Sequence, residues 1–230
     1  MNPKPRHGST IYCSAGSRFN PAGILLRPII LLVFLVAPAL AQTQGAPVVL
    51  ALGDSLIAGY GLAPDQSFPA QLEAALARNG IAVRMVNGGV SGDTSAGGFS
   101  RLDWLLADRP DLVIVELGAN DGLRGLDPAV TRRNLDAIIT RIRAAGADVV
   151  LAGMRAPPNL GPEYGAAFAA LYTDLAEQHG LAYYPFFLEG VAANPALNQE
   201  DGIHPTAEGI AVIVRNILPV VTAALMEAGR

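Results

Sequence analysis

Residues 48–56 read VVLALGDSL. The run from Val48 to Leu52 is apolar without alternation, which suits a strand covered on both faces rather than one with a wet side. Gly53 and Asp54 then turn the chain and leave Ser55 at the carboxyl end of that strand. Further runs of this kind follow at 82–87, 111–117, 148–154 and 181–187. Amphipathic stretches of helical length lie between and after them, at 67–79, 96–107, 128–145, 163–179 and 206–227. In the first of these, Leu72, Ala75 and Leu76 recur at helical spacing and mark a buried stripe. Strand and helix in alternation predict an α/β domain, a five-stranded parallel sheet between two helical layers. Gly80, Gly146 and Gly180 each stand between a helix and the next strand, where a left-handed residue ends a helix without steric cost.

Before the first strand the composition changes. Residues 1–41 contain Lys4, Arg6, Arg18 and Arg27 and no acid, then the apolar run 29–37, then Ala39-Leu40-Ala41, a small-x-small cleavage pattern. This reads as a signal peptide cleaved after Ala41. The alternative of a retained anchor asks for about 20 apolar residues, and Arg27 and Pro38 bracket fewer. A polar linker, 42–47, leads into a single domain at 48–230. Loss of the four leader cations takes the formal charge from −4 to −8, which argues against nucleic acid as a partner. The single cysteine, Cys13, falls in the leader, so the mature chain is expected to have no disulfide, thiol nucleophile or cysteine metal site. Periplasmic or secreted placement follows, with no stable membrane anchor once the leader is gone.

Ligands of open α/β sheets gather beyond the carboxyl ends of the strands, so those loops hold the candidate chemistry. Ser55 stands on the first. A hydroxyl attacks at neutral pH only when a base takes its proton. Beyond the leader the chain offers two histidines, His179 and His204. His179 closes a helix, where an imidazole favours the dipole, and reads as structural. His204 lies in Asp201-Gly202-Ile203-His204-Pro205, after the last strand, with an acid three residues upstream that can turn back onto the ring.

The second loop, 87–94, reads NGGVSGDT; its bare backbone makes Gly92 a candidate donor to an oxyanion, although glycines opening a helix can also cradle a phosphate. The third strand ends in ELGANDG, 116–122, which puts the Asn120 amide on the same rim. Ser55 N–H, Gly92 N–H and the Asn120 amide together could form an oxyanion hole. Loops 123–126 and 156–161 could shape a pocket, with Leu123, Tyr164 and Phe168 as candidate linings. The spacing of Tyr164, Phe168, Leu171, Tyr172 and Leu175 fits a core stripe equally well.

With these motifs in order, the sequence resembles the SGNH/GDSL hydrolases, whose hallmark Ser, Gly, Asn and His match Ser55, Gly92, Asn120 and His204. The stretches ALGDSL, VNGGVSGDTSAGG, ELGANDGLRG and DGIHP look like the bacterial arylesterase, acyl-CoA thioesterase and lysophospholipase subgroup. The resemblance implies the flavodoxin-like SGNH form of the three-layer architecture and a triad of Ser55, His204 and Asp201. It also implies a small-molecule acyl ester or thioester as substrate, without metal or cofactor. A carbohydrate O-deacetylase using the same triad and a non-catalytic flavodoxin-like binding module stand as alternatives.

Overall fold

The computed structural model describes residues 45–228, so the expected leader and the first half of the linker lie outside the described residues. The five strands are β1 (Val48–Gly53), β2 (Arg84–Gly89), β3 (Leu112–Glu116), β4 (Asp148–Ala152) and β5 (Ala182–Tyr184). They form one sheet in the order β2-β1-β3-β4-β5, every pair parallel. The helices are α1 (Ser55–Ala58), α2 (Phe68–Arg78), α3 (Ser95–Leu106), α4 (Ala119–Leu123), α5 (Pro128–Ala144), α6 (Pro162–His179) and α7 (Ala207–Ala228). Packing of α2 on α7, and of α5 on both α3 and α6, makes the two outer layers.

In the central strands, burial follows the apolar runs: every residue of β3 and all but the first of β1 and β4 are buried. β3 is one residue shorter at each end than the expected run and β4 stops at Ala152 rather than at 154, while β2 and β5 depart further from expectation. β2 begins two residues late and runs into its glycines, because Gly88 and Gly89 pair with Leu52 and Gly53 of β1. It is an edge strand whose side chains are exposed or half-buried, so its apolar content did not mark its ends. β5 stops at Tyr184 instead of continuing to Phe187, since Pro185 has no N–H for the ladder. The chain still tracks β4 there, Phe187 N–H donating to the Gly153 carbonyl at 2.8 Å.

Gly80, Gly146 and Gly180 adopt the left-handed conformation after α2, α5 and α6, with φ of 78°, 88° and 58°. α7 is long and apolar enough to cross a membrane by length and composition. Its Ile210, Ile213, Ile217 and Val221 are buried, and it packs on α2, β4 and β5.

The reversal of strand order lies between β1 and β3, where helices leave toward opposite faces and a crevice opens beyond the strand ends. Two glycines let α1 settle there. A Cβ on Gly89 would overlap the backbone of Ala58, and one on Gly53 would overlap Ile57 and the Glu116 carboxyl.

Two substitutions should separate close packing from helix propensity. Gly89→Ala is expected to cost about 1–3 kcal/mol in denaturant unfolding, the usual scale for overpacking. Gly165→Ala, inside α6 with no atom within 4 Å of its added methyl, should gain about 0.5–1 kcal/mol.

Candidate active site

Asp54 caps α1: its Oδ1 accepts from the Leu56 N–H at 3.0 Å. The single helical turn ends at Gly59, with φ of 79°, and Gly59 and Tyr60 N–H both donate to the Ser55 carbonyl at 3.1 Å. Ser55 is therefore the first residue of a helix one turn long, held at both ends. Its own N–H, which a first-turn residue cannot spend within its helix, has no acceptor among the described residues.

His204 reaches this serine from the loop between β5 and α7. A bridge between Asn198 and Pro205 closes that loop, and Gln199 Nε2 donates to the Tyr60 carbonyl at 2.8 Å and to the Pro205 carbonyl at 3.0 Å. His204 Nε2 stands 2.9 Å from Ser55 Oγ, and its Nδ1 stands 2.6 Å from Asp201 Oδ2. Asp201 Oδ1 accepts from the N–H groups of Ile203 at 2.9 Å and His204 at 3.0 Å, a turn that aims the carboxylate back at the ring. The His204 N–H, the His204 ring and the Ile203 N–H hold this carboxyl down at about 2. An ionised Asp201 accepts a proton-bearing Nδ1, leaving the lone pair of Nε2 for the Ser55 hydroxyl. The Tyr60 ring lies against the imidazole, centroids 4.4 Å apart.

Gly92 takes a φ of 84° in a turn closed by Asp93 N–H donating to the Val90 carbonyl at 3.1 Å. Its N–H has no acceptor among the described residues, and its carbonyl accepts from Arg124 at 2.8 Å. Asn120 follows β3 after a left-handed Gly118 and sits in the first turn of α4. Both hydrogens of its amide have acceptors, Asp54 Oδ2 and the Asp93 carbonyl, each 2.9 Å from Nδ2. Ser55, Gly92, Asn120 and His204 all line one cleft of about 470 Å³. Much of its wall is apolar, with Leu56, Leu123, Met154, Pro157, Leu188 and Ile203.

A profile of the GDSL-like Lipase/Acylhydrolase family matches residues 51–212, a span that holds all of these groups. The chain belongs to this family of hydrolases. It is 45% identical over 197 residues to esterase TesA of Pseudomonas aeruginosa, an alignment covering 85% of this chain and 96% of that one. It is 41% identical over 182 residues to thioesterase 1/protease 1/lysophospholipase L1 of Escherichia coli strain K12, covering 79% and 84%. A crystal structure of TesA superposes with a TM-score of 0.74 at 44% identity, covering 77% of this chain and 99% of the other. The SGNH hydrolase fold and the serine esterase class follow.

Three further features of this family member escape a reading of the sequence. Glu116, the last residue of β3, is fully buried; its Oε2 accepts from Asp54 N–H at 3.4 Å and its Oε1 has no partner among the described residues. Burial pushes its carboxyl well above the ordinary range, and burial raises that of Asp54 to about 6. Asp121, also buried, accepts from Ser95 N–H, Ser95 Oγ and Thr131 Oγ1, which fastens α3 and α5 to the turn carrying Asn120. Arg101 ties Asp93 at 2.6 Å to the Gly53 carbonyl at 2.9 Å. An acid at the end of an otherwise apolar strand was the one signal available for Glu116.

Of the expected linings, Leu123 faces the cleft, whereas Tyr164 and Phe168 do not line it. Phe168 is buried between the rings of Tyr164 and Tyr172, the core stripe their spacing allowed. His179 sits away from the cleft at the end of α6, its Nε2 2.6 Å from Asp136 of α5.

The Asp201 carboxyl should remain ionised in an NMR titration down to about pH 2. Its folded value lies below the unfolded one, so its contribution to stability is present above the ordinary Asp range and is lost as the pH falls toward 2. In His204→Ala the Asp201 value should move back up toward that range; an unmoved value would detach the acid from the imidazole.

Proposed function

We propose that this hydrolase cleaves carboxylic esters and thioesters of acyl chains through an acyl-serine intermediate. Ser55 Oγ attacks the carbonyl carbon while His204 Nε2 takes its proton, and Asp201 holds the imidazole and balances the imidazolium. The Ser55 N–H, the Gly92 N–H and the Asn120 Nδ2 stabilise the negative oxygen of the tetrahedral intermediate. His204 returns the proton to the departing alkoxide or thiolate. A water, deprotonated in turn by His204, then attacks the acyl carbon and releases the acid with Ser55 restored. The observation that carries this reading is the continuous path from Asp201 Oδ2 through both nitrogens of His204 to Ser55 Oγ, at 2.6 and 2.9 Å.

Leu56, Leu123, Met154 and Leu188 in the cleft wall favour an apolar acyl chain over a sugar face. The names of the relatives, an esterase and a thioesterase 1/protease 1/lysophospholipase L1, agree with cleavage of esters and thioesters. A phosphate-binding module on the same kind of sheet would have no use for the assembled triad. We further propose that residues 1–41 direct export to or beyond the periplasm and are removed, on the strength of the basic, apolar and small-x-small order of that segment.

Hydrolysis of nitrophenyl esters of graded acyl length tests the assignment. Medium or long chains should be cleaved, and Ser55→Ala should bring turnover down near the uncatalysed rate. Asn120→Ala should lower kcat roughly 100- to 1000-fold, the usual loss for one oxyanion donor. Activity confined to acetyl esters would point to a deacetylase, and full activity in Ser55→Ala would overturn the mechanism.

A further inference from the structure

Behind the reacting groups lie two carboxyls that the mechanism leaves without a task. Asp54 is 1% exposed and Glu116 fully buried, and they meet where the Asp54 N–H points at Glu116 Oε2. Two adjacent buried carboxylates cannot both be charged, so the pair keeps one proton. Asp54 is the better anion, because the Leu56 N–H and the Asn120 amide donate to its two oxygens. Glu116 has one long contact and an orphaned Oε1, so the proton belongs to it.

Asn120 presents either Nδ2 or Oδ1 toward the substrate, depending on how its amide is turned. Only Nδ2 can stabilise an oxyanion; Oδ1 would repel it. Both atoms that face Nδ2 are pure acceptors, the Asp54 carboxylate and the Asp93 carbonyl. They are unequal, since a bond to a carboxylate is about twice as strong as one to a neutral oxygen. The Asp93 carbonyl therefore gives up its hydrogen to an arriving oxyanion, while the Asp54 contact persists.

We propose that Asp54, kept ionised by a proton held on Glu116, is the positioning residue that locks the Asn120 amide with Nδ2 toward the oxyanion, and that the Asp93 carbonyl is a placeholder the oxyanion displaces. The inference rests on the proposed role of Asn120 as an oxyanion donor. A proton on Asp54 would turn its acceptor oxygen into a donor and set it against the Asp93 carbonyl in orienting the amide. The other ionisable groups facing this pair are His204 across the cleft, Asp93 paired with Arg101, and Tyr172, whose hydroxyl donates to the Leu117 carbonyl at 2.9 Å. Asp121 is spent on Ser95 and Thr131. With the Asp54 carboxyl at about 6, the lock opens as the pH falls through that value.

A double-mutant cycle read on a nitrophenyl ester, together with a carboxyl-carbon NMR titration of the wild-type enzyme, tests this. Asp54→Asn puts an amide nitrogen where an acceptor is needed, so kcat should fall roughly 100- to 1000-fold with KM nearly unchanged. Asn120→Ala should fall comparably, and the double variant should be no slower than the slower single. In the titration Glu116 should stay protonated through neutrality and Asp54 should titrate near 6. Losses that multiply, or a Glu116 ionised at pH 7, would overturn the inference alone. An Asn120→Ala enzyme at full speed would overturn the oxyanion assignment itself and the inference with it. Should Asp54→Asn fail to fold, the titration of the wild-type enzyme still decides.

Discussion

The first turn of α1 lies directly on the ends of β1 and β2, with no room for a side chain at Gly53 or Gly89. That close approach places Ser55 at the rim of a rigid sheet rather than on a free loop. It also brings Asp54 down into the protein, within reach of both Glu116 and Asn120. A bulkier residue at either glycine would lift α1, and both consequences would be lost together. The strand order serves the same end, because β1 and β3 are neighbours at its reversal and their loops deliver Ser55 and Asn120 to one crevice.

Charge is handled in two ways around the crevice. Asp201 remains partly in solvent and is held low by the N–H groups of its own turn, so in the proposed mechanism it would meet a transient imidazolium without needing a buried partner. Asp54 and Glu116 are buried, where a charge is tolerated only with donors around it. Asp54 has two such donors, the Leu56 N–H and the Asn120 amide, whereas Glu116 has a single long contact. The asymmetry makes a neutral Glu116 and an ionised Asp54 the least costly arrangement, and it turns a pair of buried acids into a device with a defined polarity.

Much of the fold was legible because its core strands are apolar on both faces and its longer helices are periodic. The ends of β2 and β5 were not, since glycines and Pro185 set them by close packing and a missing donor rather than by hydrophobicity. α1 and α4 are too short to show a period. The DGIHP turn could be read locally, as Asp201 and His204 are three residues apart and joined by one turn. The bonds from Asn120 to Asp54 and Asp93 join residues distant in the chain and depend on how three strand ends converge, which no local pattern encodes. Tyr164 and Phe168 were ambiguous for a related reason: helical spacing marks a buried face without saying whether core or cleft lies beneath it.

In the proposed mechanism the path Asp201–His204–Ser55 makes one hydroxyl uniquely nucleophilic. Intact-mass analysis and peptide mapping after brief exposure to a fluorophosphonate test it most directly. A single adduct on Ser55, absent in Ser55→Ala and formed far more slowly in His204→Ala, is the predicted result. Labelling at another residue, or labelling of Ser55 at an unchanged rate without His204, would contradict it.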